Sequence, residues 1–467
     1  MPIYTHNSLT RKKEEFIPLA PPKVNIYSCG VTVYDDCHIG HARSLYIFDL
    51  IRRYLKYRGF DVNFVRNITD IDDKIINRSN ELKTGWKELV KKYIESYYED
   101  LQLLGIPKAD REPRATENIA DMIRHIELLI EKEYAYVTDT GVYFSVRKFL
   151  DYGKLSGQSI EQMLTGVRKE SDETKEDPLD FALWKKSKPA EPFWPSPWGD
   201  GRPGWHIECS VMSSKYLKAQ TLDIHAGGRD LIFPHHENEI AQAEALTGKQ
   251  FAKYWIHHGL LTINGQKMAK SLGNFITIKD FIKEFEDPDL LKLFFLSVHY
   301  SHPIDYNAEK IEEAGKQKNI FYEFFDRANN WDIADLKPKA VTSLKDMEKI
   351  DAIADKFEKA MDDDFNTPQA LGYLFELADL GSKFVSQDKK EAFICIDKRL
   401  KNFLGIFGIK EKPRTTLPAE MLLKVKERAQ ARKIKDFKKA DELREDIKKR
   451  FGYFVEDTSG TYSCTAI

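Results

Sequence analysis

The pattern of apolar and polar positions near the N-terminus predicts a strand, a helix and a second strand. Residues 24–28 have the pattern of a short buried strand, and apolar residues then recur at helical spacing over 45–55, with Gly59 placed to end that helix. Residues 61–69 have the composition of a second strand. A strand–helix–strand unit favours a parallel sheet, which binds ligands at the carboxyl ends of its strands. Two residues fall at these ends: Cys29 and Thr69.

The pattern then predicts an insertion that interrupts the sheet. A helix is expected over 115–135, whereas residues 140–200 combine short strand-like runs with an acidic stretch and a Pro/Trp-rich segment. Sheet-like segments resume over 221–262. The Asn264-Gly265 pair that follows predicts a tight hairpin turn.

The C-terminal third is predicted to be helical. The helical period dominates from about residue 307 to about 450, and Asn366-Thr367-Pro368 is a helix-start signal. Between 421 and 450, twelve Lys/Arg accompany six Asp/Glu, which fits either a solvated helix with paired charges or a surface for a phosphate backbone. The predicted fold class is α/β, with a Rossmann-like parallel sheet and its insertion followed by an α-helical bundle and a small C-terminal domain.

Composition excludes several classes of protein. The 467 residues are 42% apolar and 31% charged, which excludes disordered, collagen-like and membrane-embedded chains and leaves room for three or four domains. The net charge of -2 gives no global positive field, so any nucleic-acid site is a local patch. Five cysteines, an odd number, favour reduced thiols or metal ligands over a disulfide framework. No apolar run is long enough for a membrane span, and we expect a cytoplasmic monomer.

The first candidate motif is His38-Ile39-Gly40-His41, between a strand end and a helix start. Helix N-termini favour phosphate groups, and a glycine lets a ligand approach the backbone closely. Taken alone, the motif is better explained as two surface histidines near a helix cap. Its position after the first strand favours a nucleotide site.

The second candidate motif is Lys267-Met268-Ala269-Lys270-Ser271, just after the predicted turn. Two lysines on a short loop can reach a triphosphate and stabilise the charge of a departing pyrophosphate. An isolated match of this length favours an ordinary basic loop.

The two motifs together resemble the class I aminoacyl-tRNA synthetases in order, separation and context. Ala269 stands where that family usually has serine, at a small linking position. The resemblance implies that His38 and His41 hold phosphates and stabilise the transition state. It also implies that Lys267 and Lys270 close on the leaving pyrophosphate.

A third group of residues has metal-binding chemistry. Cys29, Cys209, His235 and Glu239 supply two thiolates, one imidazole and one carboxylate, and the last two residues share one face of a helix. The same residues also fit buried apolar cysteines and a solvated helix pair. Residue types alone leave both interpretations open.

Longer runs resemble the cysteinyl-tRNA synthetase family over essentially the whole chain. They are Gly204–Cys209, Pro234–Glu239, Asn67–Lys74, Asp363–Pro368 and Lys438–Arg444. The resemblance implies one Zn²⁺ per chain on Cys29, Cys209, His235 and Glu239, with His236 as the neighbour most easily confused with a ligand. A bond from zinc to a thiolate would select cysteine over serine, so no editing domain is expected.

The resemblance also implies a reaction and further site residues. L-cysteine would attack the α-phosphate of ATP, supplied with Mg²⁺, and the cysteinyl group would pass to the terminal ribose of tRNA(Cys). The implied ATP-binding residues are Gly40, Gly227, Gly228, Asp230 and Ser271. The implied amino-acid-binding residues are Gly30, Thr32, Thr69, Trp205 and His225.

The implied domains are a catalytic domain in two halves (1–120 and 200–262), a connective insertion (121–199), a lysine-loop and stem-contact region (263–306), a helical bundle (307–405) and an anticodon-binding domain (406–467).

Two alternative functions stay open. One is a ligase of similar fold that couples cysteine to an amino-sugar. The other is a non-catalytic RNA-binding paralogue.

Overall fold

The computed structural model describes residues 2–166, 174–333, 342–387, 389–411, 418–458 and 461–466. These residues form two compact units. The first comprises Met1–Pro288, His299–Asn307 and Asp363–Phe365, and the second comprises Asp289–Val298, Ala308–Asp362 and Asn366–Ile467. Within the described ranges, every helix is too short or too polar to cross a lipid bilayer.

The first unit combines sheets and helices. Its strands are β1 (Tyr4–Asn7), β2 (Lys12–Glu15), β3 (Lys23–Thr32), β4 (Asp61–Thr69), β5 (Ala135–Val137), β6 (Gly141–Phe144), β7 (Phe181–Lys186), β8 (Gly201–Pro203), β9 (Leu222–Gly228), β10 (Ala252–His258), β11 (Leu261–Ile263), β12 (Gln266–Lys267) and β13 (Ile304–Tyr306). Its helices are α1 (Ile39–Tyr57), α2 (Asp73–Leu82), α3 (Trp86–Leu104), α4 (Ile119–Glu131), α5 (Ile160–Gly166), α6 (Trp205–Leu217), α7 (Glu237–Thr247) and α8 (Ile278–Phe285).

A four-stranded parallel sheet carries the site, in the order β10-β9-β3-β4. The predicted strand–helix–strand unit is confirmed as β3-α1-β4, and β4 has the predicted bounds. Helix α1 ends at Tyr57, followed by Gly59 with a φ of 86°, which a glycine adopts without strain. The carboxyl ends of β3, β4 and β9 therefore lie along one edge of the sheet.

The first strand is longer than predicted. We expected the strand to span residues 24–28, and this is wrong, because β3 continues to Thr32 past a bulge between Ser28 and Val31. A Cβ atom at Gly30 would lie 1.7 Å from the carbonyl oxygen of Asn67, so only glycine lets the two strands approach here. The bulge keeps Cys29 within the sheet rather than on a loop.

The insertion and the predicted hairpin are both present in the first unit. Strands β5-β6-β7-β8 form an antiparallel sheet, and its buried Phe144 and Trp184 belong to the same apolar cluster as Val65 of the parallel sheet. Asn264 and Gly265 have φ values of 50° and 74°, so the predicted tight turn is confirmed between β11 and β12.

The second unit is mainly helical, as predicted from the periodicity. Its elements are α9 (Pro288–Leu296), α10 (Ala308–Ile333), α11 (Leu344–Asp362), α12 (Thr367–Ser386), α13 (Lys390–Ile406), α14 (Ala419–Lys433), α15 (Phe437–Phe451), β14 (Tyr453–Thr458) and β15 (Thr461–Ala466). The predicted helix start is confirmed, because the side chain of Asn366 caps α12 by accepting a hydrogen bond from the Gln369 amide. The functional domain boundaries stay predictions.

Candidate active site and metal centre

Four side chains from distant parts of the first unit converge beside the parallel sheet. Cys29 lies at the bulge of β3, Cys209 on α6, His235 in the turn before α7, and Glu239 in the first turn of α7. Their ligand atoms all lie within 4.8 Å of one another. The structure thus brings together the four residues that the sequence singled out as a metal set.

The distances in this cluster suit a tetrahedral cation. The two sulfur atoms of Cys29 and Cys209 are 3.8 Å apart. Two thiolates that each lie ~2.3 Å from a tetrahedral zinc are separated by about 3.8 Å. His235 Nε2 lies 3.0 Å from Glu239 Oε1, yet it has no hydrogen-bond partner of acceptable geometry in the described part of the chain. A buried nitrogen in that position fits a metal ligand better than a hydrogen-bonding group.

Neighbouring imidazoles fix the orientation of two of these ligands. The Nδ1 atoms of His206 and His235 are 2.9 Å apart, and His225 Nε2 lies 2.7 Å from Glu239 Oε2. The indole of Trp205 stacks on His235 with ring centroids 4.0 Å apart. Such outer partners restrict the rotation of metal ligands and raise the affinity of the site.

A second, overlapping set of donors comprises Cys29, His225, His236 and Glu239. His236 Nε2 lies 3.3 Å from the sulfur of Cys29, and its Nδ1 lies 2.8 Å from Nε2 of His257. This set leaves out Cys209 and contains only one soft sulfur ligand. The set with two thiolates matches structural and catalytic zinc chemistry better.

The protonation of the cluster is strongly perturbed. Burial and the neighbouring Cys209 raise the pKa of the Cys29 thiol. Burial alone would raise the pKa of Cys209 as well, but the hydrogen bond from Cys29 and the neighbouring His235 together outweigh burial and lower that pKa to about 6. Burial likewise acts to raise the pKa of Glu239, while His225 and His235 lower it well below its usual value. A thiolate and a carboxylate are therefore available at neutral pH to hold a cation.

The two motif histidines hold each other at the start of α1. Nδ1 of His38 accepts hydrogen bonds from the backbone N–H groups of Gly40 and His41, and Nδ1 of His41 accepts one from the amide of His38. Because both Nδ1 atoms accept, both neutral imidazoles carry their proton on Nε2. Burial lowers the pKa of both rings, with help from Lys270 for His38, which falls to about 4. Two neutral N–H donors thus stand at a helix N-terminus.

The lysine loop lies against this helix start. A Cβ atom on Gly40 would meet the His38 ring at 2.8 Å and the methyl carbon of Met268 at 3.3 Å. Lys270 forms an ion pair with Asp35, and its ammonium lies 4.9 Å from the ring centroid of Phe275. The loop therefore places Lys270 beside the first motif.

The other two predicted loop residues are less informative. The side chain of Lys267 is exposed and forms no ion pair with any residue that the structure describes. The side chain of Ser271 lies outside the described part of the chain.

The predicted nucleoside-binding residues follow the third strand of the sheet. Gly227 and Gly228 end β9, where added Cβ atoms would lie 2.6 Å from the His236 ring and 2.4 Å from the Asp230 carboxylate. Asp230 itself is exposed in the short helical turn after β9. Both glycines are buried, and their backbone packs closely against the His236 ring and the Asp230 carboxylate.

The predicted amino-acid-binding residues have different environments. The Thr69 hydroxyl donates to Glu208 at 2.9 Å and is buried, whereas Thr32, paired with it across the sheet, is partly exposed. Trp205 is 36% exposed above His235. His225 is fully buried and contacts Glu239, so it supports the cluster rather than facing an open pocket. Gly30 contacts the backbone of Asn67 and serves the bulge.

Known proteins share both the sequence and the fold. Residues 15–316 match the family described as tRNA synthetases class I (C) catalytic domain, and residues 356–409 match the DALR domain. A cysteine–tRNA ligase of Thermodesulfovibrio yellowstonii is 50% identical over 97% of both chains. The cysteine–tRNA ligase of Caldicellulosiruptor saccharolyticus is 48% identical over 97% of both chains.

This chain belongs to the cysteine–tRNA ligase family. Solved structures of other class I synthetases share its fold. The methionyl-tRNA synthetase of Mycobacterium tuberculosis in complex with methionyl-adenylate has a TM-score of 0.60 at 17% identity, and the match covers 82% of this chain and 88% of that chain. The predicted α/β fold with a parallel sheet and a helical C-terminal region is confirmed.

Sequence reasoning missed several residues that complete the site. Asn67 accepts from the Gly30 amide at 2.9 Å and lies 3.8 Å from the sulfur of Cys209. His206 contacts His235 of the cluster, His257 contacts the neighbouring His236, and Asp35 forms an ion pair with Lys270. His206 and Asn67 stand in the runs Gly204–Cys209 and Asn67–Lys74 that carry the family resemblance, whereas His257 and Asp35 were not signalled by the sequence.

Proposed function

We propose that this chain is a cysteine–tRNA ligase that activates L-cysteine with ATP and transfers the cysteinyl group to the 3′ end of tRNA(Cys). The observation that carries the proposal is the convergence of Cys29, Cys209, His235 and Glu239 beside the His38–His41 motif at the carboxyl edge of one sheet. The names of the full-length relatives support it.

The proposed cofactor is one zinc ion held by Cys29, Cys209, His235 and Glu239. The separation of the sulfur atoms and the unpartnered Nε2 of His235 support this donor set. When bound, zinc supplies a site for the thiolate of cysteine that the hydroxyl of serine cannot use comparably. The surrounding imidazoles hold the ligands in place without contacting the substrate.

Side chains of this protein are proposed to bind the phosphates of ATP and to stabilise the leaving pyrophosphate. The Nε2–H groups of His38 and His41 are neutral and point away from the helix cap, so they can donate to phosphate oxygens of ATP bound as its magnesium complex. Lys270 can stabilise the charge that develops on the pyrophosphate once its ammonium leaves Asp35. Lys267, on the exposed strand before it, is proposed to assist.

The binding of ATP and cysteine extends these roles. The backbone of Gly40, Gly227 and Gly228 is proposed to contact the nucleotide, and Asp230 is proposed to take the ribose hydroxyls. Thr32, Thr69 and Trp205 are proposed to face the amino acid near the metal cluster, while Gly30 and His225 support the walls of that pocket.

The amino-sugar ligase remains a second candidate because it would share the metal cluster and both motifs. The DALR domain over 356–409 and the near-complete overlap with cysteine–tRNA ligases favour tRNA as the acceptor. A non-catalytic paralogue is disfavoured because His38, His41 and Lys270 are all present.

Cysteine-dependent ATP–pyrophosphate exchange, followed by charging of tRNA(Cys), tests these candidates. We expect both activities, together with about one zinc per chain by elemental analysis and rejection of serine by at least ~10⁴-fold without editing. Exchange without charging would favour the amino-sugar ligase. Loss of both in metal-loaded protein would favour a binding protein.

We also propose a cytoplasmic monomer. The four cysteines whose side chains are described are all free thiols, which suits a reducing compartment. All four proposed metal ligands come from one chain, so the site needs no second copy.

A further inference from the structure

Arg43 is a buried cation on the helix that begins with the first motif. It lies on α1, two positions after His41, and its side chain is excluded from solvent. The guanidinium forms no ion pair with any residue that the structure describes. Burial lowers its pKa to about 10, so the group keeps its positive charge at neutral pH. A buried charge of this kind needs polar partners of another sort.

Four backbone carbonyl groups take the place of a carboxylate. Nη1 of Arg43 donates to the oxygen atoms of Gly259 and Leu260, both at 2.8 Å. Nη2 donates to those of Tyr300 and His302, at 3.1 and 2.6 Å. Hydrogen bonds from a charged donor are stronger than neutral ones, and a planar guanidinium holds its donors in a fixed fork. The side chain therefore fixes both the distance and the direction of the four carbonyl groups.

These carbonyl groups belong to the base of the lysine loop. Gly259 and Leu260 join β10 to β11, and the chain then runs through the tight turn and β12 into the loop, residues 267–271. Tyr300 and His302 precede β13, which pairs with β11 in the three-stranded sheet β12-β11-β13. The guanidinium thus ties α1 to the sheet from which the lysine loop extends.

The two segments that the guanidinium joins also contact each other closely. The amide of Gly259 donates to the oxygen of Tyr300 at 2.9 Å, and the amide of Ile304 donates to the oxygen of Leu260 at 2.9 Å. A Cβ atom on Gly259 would lie 2.1 Å from the carbonyl oxygen of His302, so a side chain at this position would push the segments apart. The base of the loop is therefore held in one arrangement.

The far end of the loop is attached to the same helix start. The amide of Ile39 donates to the oxygen of Ile276 at 3.1 Å, and the amide of Ile278 donates to the oxygen of Cys37 at 2.9 Å. The lysine loop is thus anchored on both sides to the element that carries the first motif. The guanidinium makes the attachment before the loop, and these backbone hydrogen bonds make the one after it.

We propose that Arg43 is a positioning residue for amino-acid activation, which fixes the base of the lysine loop on α1 so that Lys270 meets the pyrophosphate in the correct place. The inference rests on the proposed function, because it requires both motifs to act on the same ATP. Arg43 is buried and acts through the loop rather than on the substrate. A misplacement of about 1 Å in a group that acts in the reaction can cost about 10²-fold in rate.

Arg43→Lys in the full-length protein tests the inference, because lysine keeps the charge and loses the planar fork. We expect the kcat of cysteine-dependent ATP–pyrophosphate exchange to fall by up to about 10²-fold. The KM for cysteine and the zinc content should stay at their wild-type values, because the guanidinium contacts none of the four cluster residues.

A double variant with Lys270→Ala separates positioning from general damage. If Arg43 acts through Lys270, its substitution adds no further loss of exchange once the Lys270 ammonium is absent. A change that merely weakened the fold would lower the rate by the same factor in both backgrounds.

Arg52→Lys is the matched control on the same helix. Arg52 is also buried, but its guanidinium donates to the oxygen of Lys108 at 3.0 Å and to the carboxylate of Asp110 at 2.5 Å, and neither belongs to the base of the lysine loop. We expect this variant to lose thermal stability and to keep the wild-type rate of exchange.

Gly259→Ala is a second test, because it opens the same junction with Arg43 intact and should give the same kinetic pattern. A wild-type rate of exchange in a folded Arg43→Lys or Gly259→Ala protein would overturn the proposal, and so would losses that multiply with that of Lys270→Ala. If neither variant folds, Arg43 serves the fold alone and the positioning role is wrong. If the wild-type protein itself shows no exchange, the proposed function fails instead.

Discussion

The metal cluster and the lysine loop lie in the same unit but are built in opposite ways. The four cluster residues are at most 8% exposed and come from β3, α6, the turn before α7 and α7, up to 210 positions apart. The lysine loop is local in sequence, and Lys270 is 51% exposed and forms an ion pair with Asp35. One region is fixed by the fold, whereas the other can rearrange when a ligand arrives.

The difference in burial indicates that the metal cluster and the lysine loop have different roles in the reaction. A preformed set of donors suits recognition of a small substrate, because its geometry exists before binding. A half-exposed ammonium suits charge that develops later in the reaction. Changes in the cluster should therefore alter metal content and substrate choice, and changes in the loop should alter rates alone.

The largest effect is expected for Cys209→Ser in the cluster. A hydroxyl replaces one of two sulfur ligands, so we expect a loss of metal affinity beyond the about 10–100-fold typical of changes to outer partners. Elemental analysis and cysteine-dependent exchange measure it, with ATP binding retained. Cys395→Ser, a free thiol in the second unit, is the matched control. Unchanged zinc content in the Cys209 variant would refute the ligand assignment.

Next in size is Lys270→Ala in the loop. Removal of one charge-stabilising donor typically lowers the rate by about 10²–10³-fold, and we expect that loss in ATP–pyrophosphate exchange with a small change in the KM for cysteine. Lys283→Ala, an exposed lysine on α8, should be neutral. Near-normal exchange would show that the loop does not act on the pyrophosphate.

A smaller effect concerns pH and His38. Its pKa is about 4 in the folded chain, where burial and Lys270 lower it, against about 6.5 when unfolded. Between these values the unfolded state binds more protons, so the free energy of unfolding falls as the pH falls.

His38→Asn removes this proton and keeps a side chain that can cap α1. We expect the urea midpoint of the variant to change less between pH 7 and pH 5 than that of the wild type. Identical pH dependence in the two proteins would contradict the buried, neutral state of this imidazole.

The smallest effect is expected for Asp35→Asn, which removes the partner of Lys270 and of Arg78. Because Lys270 is half-exposed, the pair should contribute less than about 1 kcal/mol to stability. Thermal unfolding should change little, while the KM for ATP should fall as the ammonium is released. A large loss of thermal stability would mean that the ion pair holds the lysine loop rigidly in place, as the fold holds the cluster.

The sequence predicted the elements whose signals are local. β4 carries the apolar residues Val62, Phe64, Val65 and Ile68, and Gly59 ends α1. The Asn264-Gly265 turn has the residues that positive φ values require. The family resemblance selected four ligands that the structure then places together. Periodicity alone missed the last four residues of β3, Cys29–Thr32, because a bulge breaks the alternation of buried and exposed positions by which a strand is recognised.

The rest of the site could not be predicted because its contacts are made between distant segments. His206 meets His235 and His236 meets His257 only after α6, α7 and β10 pack together. Trp86 and Trp194 are likewise brought side by side by the insertion. No spacing rule connects such pairs, since each residue is locally unremarkable in its own segment.

The reciprocal hydrogen bonds between His38 and His41 restrict which substitutions a descendant of this protein could accept at these two positions. Each ring is held by the other's backbone, so neither histidine can be replaced without disturbing the orientation of its mate. Loss of one imidazole would have two effects. It would remove a hydrogen bond that caps the first turn of α1, and it would change the orientation of the remaining imidazole. A protein descended from this one could therefore discard the pair together more easily than it could exchange either member alone.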